Sequence, residues 1–275
     1  MSLSISRFRF SLLLGAWILA SPVSVLAQFQ SVDADWNVVD VAQGTKPSFD
    51  FDSNGDLHLM GITEQFPGVV WHATAADLAG PWNPTVVSVG YFYGPGDLRV
   101  DQNDTAHIAW HDHDEQDSAH VSVASDGSIT STIARTPDTH DGWDNSLAIT
   151  SNNEVVMASI DPGFFGATNS LLINQLGETG WSSDVVEASG AVMYGLGTSL
   201  AFDDESSPHV LYTDARDWAG PGGVVHASQN DVGLWSVSTI ESGEKRWSLS
   251  VSRTWPRQYV ARRVDQYSPG RRIEC

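Results

Sequence analysis

The chain of 275 residues contains a single cysteine, Cys275. A disulfide framework and a cysteine-built zinc site are both excluded. Positive charge is scarce as well: 14 Lys+Arg face 34 Asp+Glu, for a formal charge of −20. A surface that tracks phosphates needs a basic stripe, so nucleic acid is not an expected partner. Beyond the first residues no apolar run approaches the ~20 residues of a membrane span. No segment sustains a 3.6-residue period, so helix should be nearly absent. What is abundant is apolar and aromatic material, with 41% hydrophobic residues and 11 Trp, enough for a buried core.

The ends differ from the middle. Arg7 and Arg9 precede an apolar run from Phe10 to Ala20, followed by Val25-Leu26-Ala27. A basic start, a short greasy centre and small residues at −3 and −1 read as a signal peptide over residues 1–27, and predict a secreted or periplasmic protein. Between Gln28 and Glu244 the only basic side chains are Lys46, Arg99, Arg135 and Arg216, against 32 acids. The last 31 residues reverse the balance, with eight bases and two acids. A monomer is expected.

Self-alignment exposes the plan. Ser48-Phe49-Asp50-Phe51-Asp52 returns as Asp97-Leu98-Arg99-Val100-Asp101, as Ser146-Leu147-Ala148-Ile149-Thr150 and as Ser199-Leu200-Ala201-Phe202-Asp203, with a faint copy at Ser248-Leu249-Ser250-Val251-Ser252. The steps are 49, 49, 53 and 49 residues. Each copy has an alternating strand, a polar turn, a second strand, a variable loop, a third strand and a fourth. Trp82, Trp181 and Trp235 open the fourth strand in three of them. Four short strands per unit of this length describe β-propeller blades. The expected fold is all-β, a propeller of about five four-stranded blades over residues 28–247. Trp36-Asn37-Val38-Val39 would supply the N-terminal strand that closes the last blade. Residues 248–275, with Arg253, Pro256, Arg257, Arg262 and Arg263, predict an incomplete fifth blade and a basic tail.

The run Ser199-Leu200-Ala201-Phe202-Asp203, a turn, then Pro208-His209-Val210-Leu211-Tyr212-Thr213-Asp214 resembles the BNR/sialidase-like propeller repeats of secreted bacterial proteins. That resemblance implies the architecture. The turn form Ser-x-Asp-x-Gly-x-x-Trp of true sialidases has no clean copy here, so sialidase activity is not implied.

In a propeller the first strand of each blade lines the channel, and the 2–3 and 4–1 loops share one face. Those loops hold the unusual residues. His111-Asp112-His113-Asp114-Glu115 and His140-Asp141-Gly142-Trp143-Asp144-Asn145 form the densest cluster. Three readings stand: a divalent metal held by His111, His113 and Asp114; acid–base catalysis; or a polar loop in an acidic protein. Catalytic candidates are Asp50, Asp112, Asp144, His111 and His140. Tyr91, Tyr93, Arg99, Trp143, Asn145, Asp161, Tyr194, Asp214 and Trp218 are candidates for substrate contact, because aromatic faces with polar tips stack on sugars. Two functions fit: a module that binds an extracellular glycan or polysaccharide, and a carbohydrate-active enzyme using paired carboxylates or a His/Tyr proton transfer. His58, His107 and His209 share one repeat register, which predicts a packing and hydrogen-bonding role instead of a binding one.

Overall fold

A computed structural model describes residues 40–63, 67–134, 142–161, 170–188, 197–214 and 222–243, with 253–254, 258–262 and 272–274 in the tail. All regular structure among them is strand. The first blade is β1 (Thr45–Phe51), β2 (Leu57–Ile62), β3 (Gly68–Ala75) and β4 (Thr85–Gly90). The second is β5 (Phe92–Val100), β6 (Ala106–Asp112), β7 (Asp117–Val123) and β8 (Ile129–Ala134). The third holds β9 (Trp143–Ile149), β10 (Val155–Asp161), β11 (Ser170–Gly177) and β12 (Gly180–Ala188), and the fourth β13 (Thr198–Phe202), β14 (Pro208–Asp214), β15 (Gly222–Gln229) and β16 (Trp235–Gly243). Each forms an antiparallel sheet in chain order. The expected five blades are corrected to four complete ones. After Gly243 the alternating apolar pattern gives way to arginine, and the tail supplies a three-stranded sheet from β17 (Arg253–Thr254), β18 (Gln258–Arg262) and β19 (Arg272–Glu274). Residues 36–39 and 248–252 lie outside the described residues.

The period of two explains how the blades stack. On β6, Ile108 and Trp110 face the first blade, packing with Met60, Ile62 and Val70, while Ala109 faces Leu147 and Met157 of the third. Ala148, Val156 and Ile160 then meet Leu200, Val210 and Tyr212 of the fourth. Both faces of the second and third blades are core, so their central strands are buried almost throughout.

Two sets of polar contacts fix the blades in register. The turn after each first strand is built on one side-chain oxygen. Asp52 Oδ1 accepts from the N–H groups of Asn54 and Asp56, Asp101 Oδ1 from Asn103 and Thr105, Thr150 Oγ1 from Asn152 and Glu154, and Asp203 Oδ1 from Glu205 and Ser207. These are Asx and ST turns. The left-handed residue that follows touches the preceding blade: Ser53 donates to Asp104, Gln102 N–H to Asn153, and Ser151 pairs with Ser206.

The second set serves the first strands. Their outer edge has no ladder partner, and its N–H groups need acceptors. Leu98 N–H donates to Ser48 Oγ (3.1 Å), Val100 to Asp50 (3.0 Å), Leu147 to Asp97 (2.9 Å) and Leu200 to Ser146 Oγ (3.0 Å).

Inside three blades a histidine pair completes the turn. His58 Nδ1 lies 3.1 Å from His72 Nε2, His107 Nδ1 3.1 Å from His120 Nε2, and His209 Nδ1 3.0 Å from His226 Nε2. The first histidine of each pair turns Nε2 to the turn aspartate, at 3.9 Å from Asp52, 3.5 Å from Asp101 and 3.3 Å from Asp203. Burial opposes ionisation of these three aspartates, yet the N–H bonds outweigh it and hold them below the ordinary carboxylate value. In the second blade the chain continues outward: Trp181 Nε1–H reaches Thr132 Oγ1 at 3.0 Å, and that hydroxyl lies 3.1 Å from His120 Nδ1. The imidazole–imidazole and His120–Thr132 contacts are satisfied only if both rings are neutral, a tautomer assignment fixed by the network; His107 Nε2 stays buried at 3.5 Å from Asp101 without a hydrogen bond. Burial drives His72 down to about 4 and His120 to about 3, with the neighbouring imidazole adding to each shift.

Candidate functional site

At the end of the first strands remote from those turns, each blade places one left-handed residue. They are Lys46 (φ 52°), Gly94 (φ 71°), Asp144 (φ 52°) and Gly197 (φ 95°). In the first three blades the ladder slips nearby, between Thr45 and Ser48, between Tyr93 and Asp97, and opposite Ala158 and Ile160. Bulges at the rim of a sheet redirect side chains.

Asp144 is where the four meet. Its carboxylate is 4% exposed, and Oδ2 accepts the Gly197 N–H at 3.0 Å. The Thr198 hydroxyl donates to its carbonyl. A Cβ on Gly94 would sit 3.8 Å from Oδ1, so the second blade also closes on it. Burial raises the Asp144 carboxyl to about 6, although the Gly197 N–H and the Lys46 charge pull the other way. The site therefore holds a carboxyl that is part protonated near neutrality, with the Lys46 charge nearby.

The neighbouring loop residues pack in layers. The His111 ring, 1% exposed, lies 5.3 Å from Trp143 and 6.2 Å from His113, and His113 meets Tyr91 edge-on at 4.5 Å. His113 N–H donates to Tyr91 O, and Asp114 Oδ2 accepts from Tyr91 N–H at 3.1 Å. The loop ending β6, the entry to β5 and the start of β9 are thus one cluster. Asn145 supports it from beneath: Oδ1 accepts the Ser118 hydroxyl at 2.8 Å and Nδ2 donates to Gly142 O at 2.7 Å. Gly142 has φ 87°, and a Cβ there would lie 2.4 Å from Ser118 N. Gly142→Ala should cost about 3 kcal/mol, from backbone overlap and a strained φ, measured as a lowered urea midpoint. An unchanged midpoint would show that this contact carries no such constraint.

Other candidates are placed elsewhere. Asp50 lies four residues further along its strand than the Lys46 position, roughly 13 Å, and its oxygens accept the Phe51 and Val100 N–H groups. It does not join Asp144. Arg99 donates through Nη1 to Asp97 at 2.8 Å and to Leu98 O at 2.6 Å, so its guanidinium serves the inter-blade joint. Asp112 Oδ1 caps its own loop by accepting the Asp114 and Glu115 N–H groups. Burial raises this carboxyl, and the charges of Asp114 and Glu115 raise it further. Asp161 ends β10, 4% exposed, at the same rim as Trp143. Tyr93 pairs with His111 on the ladder and Asp214 with Gly223, but their side chains lie outside the described set. His140, Tyr194 and Trp218 are outside the described residues. His111, His113 and Asp114 do not converge as ligands: among the described residues no three or more His, Cys, Asp or Glu side chains stand as a metal site.

The fold has counterparts among solved structures. The endo-arabinase from Bacteroides thetaiotaomicron VPI-5482 superposes with a TM-score of 0.52 at 11% identity, over 84% of this chain and 92% of that one. The GH93 alpha-L-arabinofuranosidase of Fusarium graminearum, solved with arabinobiose, gives 0.54 at 13% identity, over 79% and 74%. The likeness is one of fold. No family model matches the chain, and no curated protein does.

Lys46 and Gly197 were not singled out by sequence. Lys46 stands two residues before Ser48, as Asp144 stands two before Ser146, so the repeat alignment already put them in one column. What the column meant became visible only with the left-handed backbone.

Proposed function

We propose that the chain is a carbohydrate-active enzyme, a glycoside hydrolase whose substrate enters at the channel mouth. The observation that carries this reading is Asp144, a buried carboxyl raised to about 6 at the point where four blades converge. A carboxyl of that kind can give a proton to a glycosidic oxygen near neutral pH. Asp161, at the same rim, is the candidate for the second carboxylate. Tyr91 and Trp143 offer aromatic faces to sugar rings. The likeness to an endo-arabinase and an arabinofuranosidase supports the reading as fold analogy, and makes arabinose-containing polymers the first substrates to test.

One observation favours a second reading, a glycan-binding module without turnover. Asp50, a carboxylate that catalysis at the mouth would have used, is occupied in an inter-blade bond, and Arg99 is paired with Asp97 of its own strand. A polysaccharide panel containing arabinan and xylan separates the two, with reducing ends assayed beside direct binding. The hydrolase reading expects released ends. Binding without release would leave the module, and neither result would reject both.

A further inference from the structure

Asp144 keeps its place against its own backbone preference. Its φ of 52° is left-handed, a conformation that residues other than Gly adopt at a cost. The ladder of β9 with β10 passes from Ser146 opposite Ala158 to Trp143 opposite Ile160, so Asp144 and Asn145 together oppose Ser159 alone. A bulge of this kind re-aims the side chain of its left-handed residue. Here the carboxylate comes to the Gly197 N–H and to the bare face of Gly94. A right-handed Asp144 would swing its Cβ away from both. Something must hold the strained form.

The flanking residues do so. Asn145 Nδ2 donates to Gly142 O at 2.7 Å, closing the segment Gly142–Asn145 on itself. Asn145 Oδ1 accepts the Ser118 hydroxyl at 2.8 Å, which ties that segment to β7 of the preceding blade. Trp143 packs on the His111 ring of the same hairpin. Asn145 is 4% exposed and Ser118 0%, so water does not compete for either bond, and a lost partner would leave a buried polar group unpaired. Among the described residues both Asn145 bonds go to the support and neither to the carboxylate.

We propose that Asn145, held by Ser118, is the positioning residue for the Asp144 acid: it fixes the left-handed turn that seats the carboxylate between Gly94 and Gly197. The consequence for turnover rests on the hydrolase reading; the seating of the carboxylate does not. Charged and titratable groups at this end of the surrounding strands are Lys46 of β1, Asp97 of β5, His111 and Asp112 of β6, Asp117 of β7 and Asp161 of β10. Substitution at Asn145 or Ser118 leaves all of them in place, so a change at Asp144 reports its seating.

Asn145→Ala removes both bonds and Ser118→Ala only one. The Asp144 carboxyl is followed by carbon NMR, with its resonance assigned by loss in Asp144→Asn. In the parent it titrates at about 6. In Asn145→Ala the seat opens to water, and the midpoint should fall by about one pH unit or more toward the ordinary 3.8. Ser118→Ala should move it the same way by less. On the hydrolase reading the alkaline limb of kcat/KM follows, through kcat more than KM. The deficit of Asn145→Ala at pH 7 should then be roughly sevenfold larger than its deficit at pH 4.5 for a fall of one pH unit. An unmoved midpoint in folded Asn145→Ala, or equal deficits at the two pH values, overturns the proposal and leaves Asn145 a packing residue. If Asn145→Ala does not fold, the Ser118→Ala midpoint decides by the same criterion. A parent protein with no turnover rejects the hydrolase reading, and the NMR comparison still decides the positioning.

Discussion

Asp144→Asn should stop hydrolysis and, at the same time, make the protein more stable at neutral pH. The activity half follows from the proton: an amide cannot deliver one, and loss of a general acid lowers turnover by about 10²–10⁴-fold. The stability half follows from linkage. The carboxyl titrates at 3.8 in an unfolded chain and at about 6 when folded. A raised carboxyl favours the folded state while it is protonated, so its contribution is complete below pH 3.8 and is lost as pH rises through 6. Above that, an ionised Asp144 costs the fold about 3 kcal/mol. Asparagine carries no charge and keeps an oxygen for the Gly197 N–H. Its melting temperature at pH 7.5 should rise by roughly 6–12 °C, with no gain at pH 3.5. On the hydrolase reading, kcat/KM of the parent protein should fall tenfold per pH unit above about 6. A variant that is inactive and less stable at pH 7.5 would mean that Asp144 is held ionised as a structural partner of Lys46. Stability purchased by removing a functional group is the usual trade-off at active sites.

How much of this was legible in the sequence depended on whether a residue's role repeats. The Asp52, Asp101 and Asp203 register was plain because one oxygen must accept the same two N–H groups in every turn. His58, His107 and His209 followed in step. Their partners did not. His72, His120 and His226 lie 14, 13 and 17 residues further on, across loops of unequal length, so no fixed offset marks them. Asp50 misled for a different reason. Composition cannot distinguish a carboxylate that meets substrate from one that meets the unpaired edge of the next blade. That edge occurs wherever first strands approach without a ladder, and Ser48, Asp97 and Ser146 serve it as Asp50 does. The blade count erred because a five-residue echo at Ser248 keeps phase although the apolar alternation needed for a buried second strand has already ceased.

The third blade supplies a natural experiment on the histidine pairs. Where the others have Asp, His and His, it has Thr150, Val156 and Ile173, at the matching ladder positions. All three change together: Thr150 still builds the turn through Oγ1, and Val156 and Ile173 pack in the apolar cluster facing the fourth blade. A hydrogen-bonded unit can be exchanged whole for an apolar one at little cost, whereas removing one member strands the other. The triple change Asp52→Thr, His58→Val and His72→Ile should therefore stay within about 1 kcal/mol of the parent at pH 7.5. His72→Ile alone should lose about 1–3 kcal/mol, because His58 Nδ1 is left buried without its donor. The pH dependence should change as well. An imidazole lowered from 6.5 to about 4 on folding binds its proton more readily in the unfolded chain. Its accompanying stability is complete above pH 6.5 and falls by about 3 kcal/mol as pH drops to 4. The triple variant lacks that group, so the difference between its urea midpoints at pH 7 and pH 4.5 should be smaller than the parent's. If the triple variant is as unstable as the single one, or as sensitive to acid as the parent, the network is not the interchangeable unit that the third blade indicates.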